Sequence, residues 1–340
     1  MLRLERVEID ACDWEALDTR ADRVLFQTRA WLAFLAATQG GEPVVALLLD
    51  GTSTVGQFTG MVVRRFGIRI LGSPFPGWTT PYMGFNLDAG VSRLDALDAL
   101  APFAFGELGC LHLELRDRSL AQAAPRVGWQ SSPDRTFLLD IGPDEDELLS
   151  RMSSSRRRNI RQAERLGVVV EEAKDAAFAD EFHLQLQDVF AKQSIVPTYG
   201  VERVRQLIRH MGPTGNLLLL RARDPDGRCI ATGIYPAFGG TAYFWGGASW
   251  REHQKLRPNE AVMWRALTYW KKRGVREFDL GGGAEYKRSW GRIRDVDVPY
   301  FRRSRHEFLH DLRTAAKRTF RLTLSARGRV RTLRPRRPGG

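Results

Sequence analysis

Cysteine is scarce in this 340-residue chain. Cys12, Cys110 and Cys229 are odd in number and far apart, which excludes a disulfide framework and a thiolate zinc site, so no metal is expected. Long apolar runs are also missing. No stretch approaches the roughly 18 residues needed to span a bilayer, and the start Met1-Leu2-Arg3-Leu4-Glu5 lacks the apolar segment of a signal peptide. A cytoplasmic protein is the expectation. Acids are outnumbered, 40 against 52 Lys and Arg, for a net charge of +12. Thirteen basic residues against Glu307 and Asp311 place +11 of that charge after Phe301, so the body is nearly neutral and the basic balance is not a property of the globular fold.

What is present is a globular composition, 43% hydrophobic, at a length that suits two compact domains. The two halves repeat one order of elements. In the first, strands at 44–49 and 58–63 flank Asp50-Gly51; in the second, strands at 217–222 and 229–235 flank Asp226-Gly227. A helix precedes each hairpin, at 27–37 in the first half and at 179–190 and 201–210 in the second. Later, a helix at 94–108, Gly109 and a strand at 111–115 match a helix at 260–273, Gly274 and a strand at 275–280. Gly142-Pro143 and four acids mark the link, near 140–147.

The densest stretch runs from Tyr243 to Gly291. Tyr243 to Ser249 reads as one buried strand, Arg257-Pro258-Asn259-Glu260 opens an amphipathic helix, and a strand runs into Gly281-Gly282-Gly283. Beyond it, Tyr286-Lys287 stand where a flexible glycine loop could present them to a ligand. Three further segments carry chemistry. Ser153 to Gly167 reads as a short helix with Arg157 and Arg161 on one side and Arg158 and Arg165 on a neighbouring stripe, an arrangement that suits phosphate or a solvated face. Ser73 to Tyr82 is too proline-rich for a strand and too aromatic for a solvent loop, so Trp78 and Tyr82 are candidates for a pocket wall or for loop anchors. The end of the chain reads as a helix over 306–325 followed by a loose basic tail over 326–340, suited to a solvated role, to nucleic acid or to an anionic membrane.

These residues carry a resemblance. Ser73-Pro74-Phe75-Pro76-Gly77-Trp78, Pro81-Tyr82-Met83-Gly84, Arg156-Arg157-Arg158-Asn159-Ile160-Arg161, Arg257-Pro258-Asn259, Phe278-Asp279-Leu280-Gly281-Gly282 and Tyr286-Lys287-Arg288-Ser289-Trp290-Gly291, in register over about residues 20–305, resemble the Fem-type (FemAB-like) branch of the GNAT acyltransferases, which includes exopolysaccharide-associated relatives. The resemblance implies an α/β (α+β) fold of two tandem GNAT-like domains, each a mostly antiparallel sheet flanked by helices. They would occupy residues 1–140 and 141–305, the second carrying the catalytic motifs.

The resemblance also implies attack of an amine on an activated acyl group, forming an amide on a cell-envelope precursor, an exopolysaccharide or a small metabolite. The donor would be acyl-CoA or aminoacyl-tRNA, with no tightly bound cofactor. Lys287, with Tyr286 in place of the commoner Phe, would stabilise the oxyanion. Arg157, Arg158, Arg161, Trp78, Tyr82, Trp245 and Asn259 would bind substrate. The general base stays open among Glu285, Asp279, Glu260 and His253. The chain departs from the wider superfamily in lacking the R/Q-x-x-G-x-G/A loop that cradles the CoA pyrophosphate. Pro258, which has no N–H, stands there instead and weakens CoA, while the basic tail favours tRNA only slightly. A second class of function is a catalytically silent module of the same fold, docking RNA or an anionic membrane through residues 306–340.

Overall fold

The computed structural model describes residues 1–65, 67–120, 127–191, 197–282 and 284–306. The expected helix and tail beyond His306 therefore lie outside the described residues. Among the described residues the strands form two eight-stranded sheets. The first holds β1 (Leu2–Val7), β2 (Glu42–Asp50), β3 (Ser53–Arg65), β4 (Ile68–Ser73), β5 (Gly84–Leu87), β6 (His112–Arg116) and β7 (Gln130–Ser132). The second holds β8 (Arg135–Asp140), β9 (Val169–Glu172), β10 (Leu217–Arg223), β11 (Cys229–Phe238), β12 (Thr241–Tyr243), β13 (Gly246–Ser249), β14 (Glu277–Gly282) and β15 (Ile293–Asp297). The last strand, β16 (Tyr300–Ser304), returns to the first sheet.

The helices are α1 (Trp14–Asp18), α2 (Arg29–Gln39), α3 (Arg93–Pro102), α4 (Glu145–Arg151), α5 (Ser154–Arg165), α6 (Phe178–Ala191), α7 (Val201–Met211) and α8 (Pro258–Lys271). Their starts follow capping chemistry: Thr28, Ser92, Asp144 and Ser153 each accept a backbone N–H of the first turn. None of the described helices is long and apolar enough to cross a membrane.

Strand register shows the duplication in detail. In the first unit β3 pairs with β4 at Met61 to Arg65 and with β5 at Gly56 to Thr59, and β4 runs parallel to β6. In the second unit β11 pairs with β12 at Ala237 and Phe238 and with β13 at Ala231 to Ile234, and β12 runs parallel to β14. One strand thus becomes two at the same place in each unit. In the second unit only Phe244 and Trp245 separate the pieces, so the single strand expected from Tyr243 to Ser249 is broken there. In the first unit the break is filled by the proline-rich segment from Pro74 to Met83, with a cis Ser73–Pro74 bond.

The division at residue 140 expected from the sequence is crossed twice. β8, which precedes it, pairs with β14 and β15 of the second sheet, and β16, at the far end of the second unit, lies between β6 and β7 of the first. Each sheet is finished by a strand from the other half of the chain. Hydrophobic patterning could not show this, because a strand's alternation names the face it buries and not the sheet it joins.

Two of the three cores lie within single units, one around Phe58, Phe85 and Phe301 and one around Phe137, Phe278 and Trp270. The third joins the units. Phe26, Trp31, Phe34, Trp78 and Tyr82 of the first half pack there against Phe178, Phe182, Val204 and Tyr243 of the second, so the two sheets form one packed body.

Candidate functional site

A cavity of about 400 Å³ opens in the second unit where the strands part. β12 and β14 run parallel from Thr241 and Glu277 to Tyr243 and Asp279, and Phe244 N–H still donates to Asp279 O (2.8 Å). Beyond that point β13 turns to follow β11, and a crevice opens between Gly247 to Ser249 on one side and Leu280 on the other. The start of α8 closes one end, bringing Asn259 and Glu260. The helical turn Glu285–Trp290 closes the other, bringing Tyr286 and Lys287. Gly281 and Gly282 of the expected glycine loop close β14, and Tyr286 and Lys287 stand on the 3₁₀ turn Glu285–Trp290.

Lys287 is half-buried. Its Nζ donates to Leu280 O (2.6 Å) and Gly282 O (2.8 Å), two carbonyls at the end of β14. Those carbonyls leave one of the three ammonium hydrogens for a ligand. Burial pushes the ammonium below its usual 10.5, and the Asp279 carboxylate pulls it partly back. Asn259 is aimed across the cavity by a hydrogen bond to Ser249 Oγ (3.0 Å). Tyr286 is 63% exposed at the mouth.

The guanidinium that reaches this cavity is Arg156. Its Nη1 pairs with Glu260 (2.9 Å), its Nε and Nη2 donate to Ser289 Oγ (3.2 and 2.9 Å), and it stacks on Trp290 at 4.6 Å. Arg156 therefore clamps α5, α8 and the turn carrying Lys287 together. The arginines expected to bind substrate stand elsewhere on α5. Arg157 and Arg158 follow Arg156 at 100° steps, and with Arg161, Glu164 and Arg165 they line a separate open groove of about 700 Å³. Arg157 turns back to the carbonyls of Leu149, Ser150 and Met152, satisfying the end of α4. The sequence motif did contain Arg156, but its phase against α8 was legible only once the helices were packed.

The aromatic candidates also sit away from the cavity. Trp78 is 8% exposed and packs on Phe75, and its carbonyl accepts from Arg203 of α7. Tyr82 is fully buried. Trp245 faces the first unit, against Phe34 and Tyr199, because alternation puts its neighbour Phe244 on the cavity side. These three hold the units together and form no open wall. Among the open base candidates, Glu260 lines the cavity but is paired with Arg156 and Asn159, and Glu285 is paired with Arg288. His253 lies beside Asp224 and Glu252 on the 3₁₀ turn Arg251–Leu256. Asp279 is buried beneath the strand end, where burial raises its carboxyl above 3.8 against the pull of three hydrogen-bond donors.

At the equivalent place in the first unit the crevice is plugged. Asp117, next after β6, accepts from the backbone N–H of Phe85 (3.0 Å) and from Arg93 at the start of α3 (2.8 Å), and a Cβ on Gly84 would fall 2.4 Å from its carboxylate. An ion pair thus fills, in the first unit, the space that stays open in the second.

The geometry agrees with the comparisons. Residues 150–288 match the model of the acetyltransferase (GNAT) domain, a span that holds α5, α8, β14 and Lys287. The structure is similar to a crystal structure of FemX (TM-score 0.71, 13% identity, covering 91% of this chain and 99% of that one). It is also similar to a tandem GNAT protein from the clavulanic acid biosynthesis pathway (TM-score 0.56, 13% identity, 89% and 98%). A third likeness is to the C-terminal domain of a putative lysylphosphatidylglycerol synthetase from Agrobacterium fabrum (TM-score 0.51, 11% identity, 77% and 85%). No curated protein matches the chain. Residues 150–288 thus match the acetyltransferase (GNAT) domain, and the whole chain shares its two-unit fold with FemX and the tandem GNAT protein.

Proposed function

We propose that this protein joins an activated acyl group to an amine, forming an amide, with Lys287 donating a hydrogen bond to the oxyanion. The observation that carries the reading is the Lys287 ammonium, held by two carbonyls in the lining of a crevice that the parted strands open beside the start of α8. In the reaction the amine nitrogen attacks the acyl carbon and negative charge gathers on the carbonyl oxygen. The C–N bond forms in that attack; the oxyanion then collapses to the carbonyl as the ester C–O or thioester C–S bond breaks, and the amine proton leaves with the departing alcohol or thiol. A fixed ammonium in a half-buried site stabilises that charge far better than water does, because it needs no reorganisation.

The donor that fits best is an aminoacyl ester on tRNA. At the start of α8, Pro258 lacks an N–H and the Glu260 carboxylate sits in the first turn, so the helix end offers little to a pyrophosphate. As acceptor we propose an amine of a cell-envelope precursor, an exopolysaccharide or a small metabolite.

The test is Lys287→Met in the full chain, assayed with charged tRNA and, separately, with acetyl-CoA as donors against a panel of amines. The expected result is transfer from charged tRNA, reduced about 10²–10³-fold in kcat by the substitution with the fold intact. Transfer from acetyl-CoA alone would move the donor to thioesters. A Lys287→Met variant as active as the unaltered protein would remove the mechanism.

A further inference from the structure

The cavity is built wholly from the second unit, yet one side chain of the first unit reaches the strand on which it depends. Tyr82, at the end of the proline-rich segment, is fully buried, and its hydroxyl donates to Asp279 Oδ2 (2.7 Å). Asp279 spends its other oxygen within its own unit, accepting from Thr136 Oγ1 and from Gly281 N–H (2.7 Å). Gly281 lies between Leu280 and Gly282, whose carbonyls are the two that hold Lys287 Nζ. The carboxylate thus grips the backbone segment that grips the lysine, and a phenol from the other unit grips the carboxylate. Behind Tyr82, Arg118 of the first unit donates to the same hydroxyl (3.4 Å) and lies over its ring at 5.4 Å.

We propose that Tyr82 is a positioning residue for Lys287, acting through the Asp279 carboxylate. The inference rests on the reading of Lys287 as the oxyanion donor. Burial and the adjacent carboxylate keep the phenol protonated, so it is always a donor to Asp279. Burial raises the Asp279 carboxyl and the Tyr82 hydrogen bond pulls it back down, favouring the carboxylate form that raises the Lys287 ammonium. The remaining charged groups around Lys287 are paired with one another, Arg156 with Glu260 and Arg288 with Glu285 and Asp295. On this reading the first unit, whose own crevice is plugged, contributes to the chemistry of the second by setting where and how strongly Lys287 is held.

Competitive acylation of the full chain with acetic anhydride over a pH series, read at Lys287 by mass spectrometry, measures that amine without any substrate. The unaltered protein is expected to show a midpoint below that of an ordinary lysine. Asp279→Asn should lower it by about one further unit, and Tyr82→Phe should lower it in the same direction by less. Thr80→Val is the control, since Thr80 anchors Trp31 in the same buried segment (3.1 Å) and has no bond to Asp279; it should leave the midpoint in place. If Lys287 is depressed in the unaltered protein and Tyr82→Phe leaves it unmoved, the positioning role is overturned while the oxyanion reading stands. An equal shift from Thr80→Val would overturn it too, as general loosening. If Lys287 acylates like an ordinary lysine in the unaltered protein, the oxyanion reading fails and takes this inference with it.

Discussion

Phe301→Ala tests the exchange of strands between the two halves. Phe301 sits on β16, opposite Leu115 of β6 and Ser131 of β7, 2% exposed and edge-on to Trp129 at 6.3 Å. Truncating a buried Phe costs about 3–5 kcal/mol, from lost transfer energy and from the cavity left behind. That is a large part of the roughly 5–15 kcal/mol that stabilises a typical domain. It falls on the first sheet although residue 301 follows the whole second unit in sequence.

Segment-resolved hydrogen exchange is the assay. A loss of about 3 kcal/mol should speed sub-global opening of β6 and β7 roughly a hundredfold, with β10 and β14 nearly unchanged. Phe137→Ala on β8 should give the mirror result, opening β14 and β15 while sparing β6, since Phe137 is fully buried in the second sheet's core. A fragment ending at residue 134 should fail to fold cooperatively, because β6 would be left with a bare edge. Faster exchange confined to residues near 301, or a cooperative fragment 1–134, would refute the strand exchange.

Other outcomes follow from the site. The depressed Lys287 ammonium predicts that transfer falls on an alkaline limb below pH 10.5, and Lys287→Arg should carry that limb upward, in a pH–rate profile. The same shift affects stability: between the depressed value and 10.5 the unfolded chain binds more protons, so stability should rise with pH there, and Lys287→Met should flatten the rise in urea titrations. Arg156→Gln removes the Glu260 pair and both bonds to Ser289; it should cost about 2 kcal/mol by thermal unfolding and lower the transfer rate by loosening the turn of Lys287. Arg157→Ala should cost about 1–2 kcal/mol by freeing carbonyls at the end of α4, whereas Arg158→Ala should stay within about 0.5 kcal/mol, as denaturant midpoints would show.

Much of the fold was legible because its signals are local. Asp50-Gly51 and Asp226-Gly227 lie in the turns of the two hairpins, and Pro258 stands at the first position of α8. Lys287 and Asn259 were found by motif, and the structure brings them to one cavity. Arg156 was missed because neighbouring arginines on one helix differ only in phase, and phase acquires meaning only against a packed partner. Trp78 and Tyr82 stood open between a ligand wall and loop anchors because aromatic residues in an irregular segment suit a pocket and an interface equally well, and Trp245 was a substrate candidate only by resemblance.

What the sequence determined by itself was the repeated unit, its hairpins and helices, and the motif that holds Lys287, all of which depend on residues within a few turns of one another. Only the tertiary structure decided which strand finishes which sheet, which crevice stays open and which is filled by Arg93 and Asp117, and that a tyrosine 197 positions away from Asp279 would hold it. Those outcomes rest on the pairing of edges and the burial of charge between distant segments, and neither leaves a periodic mark on the chain.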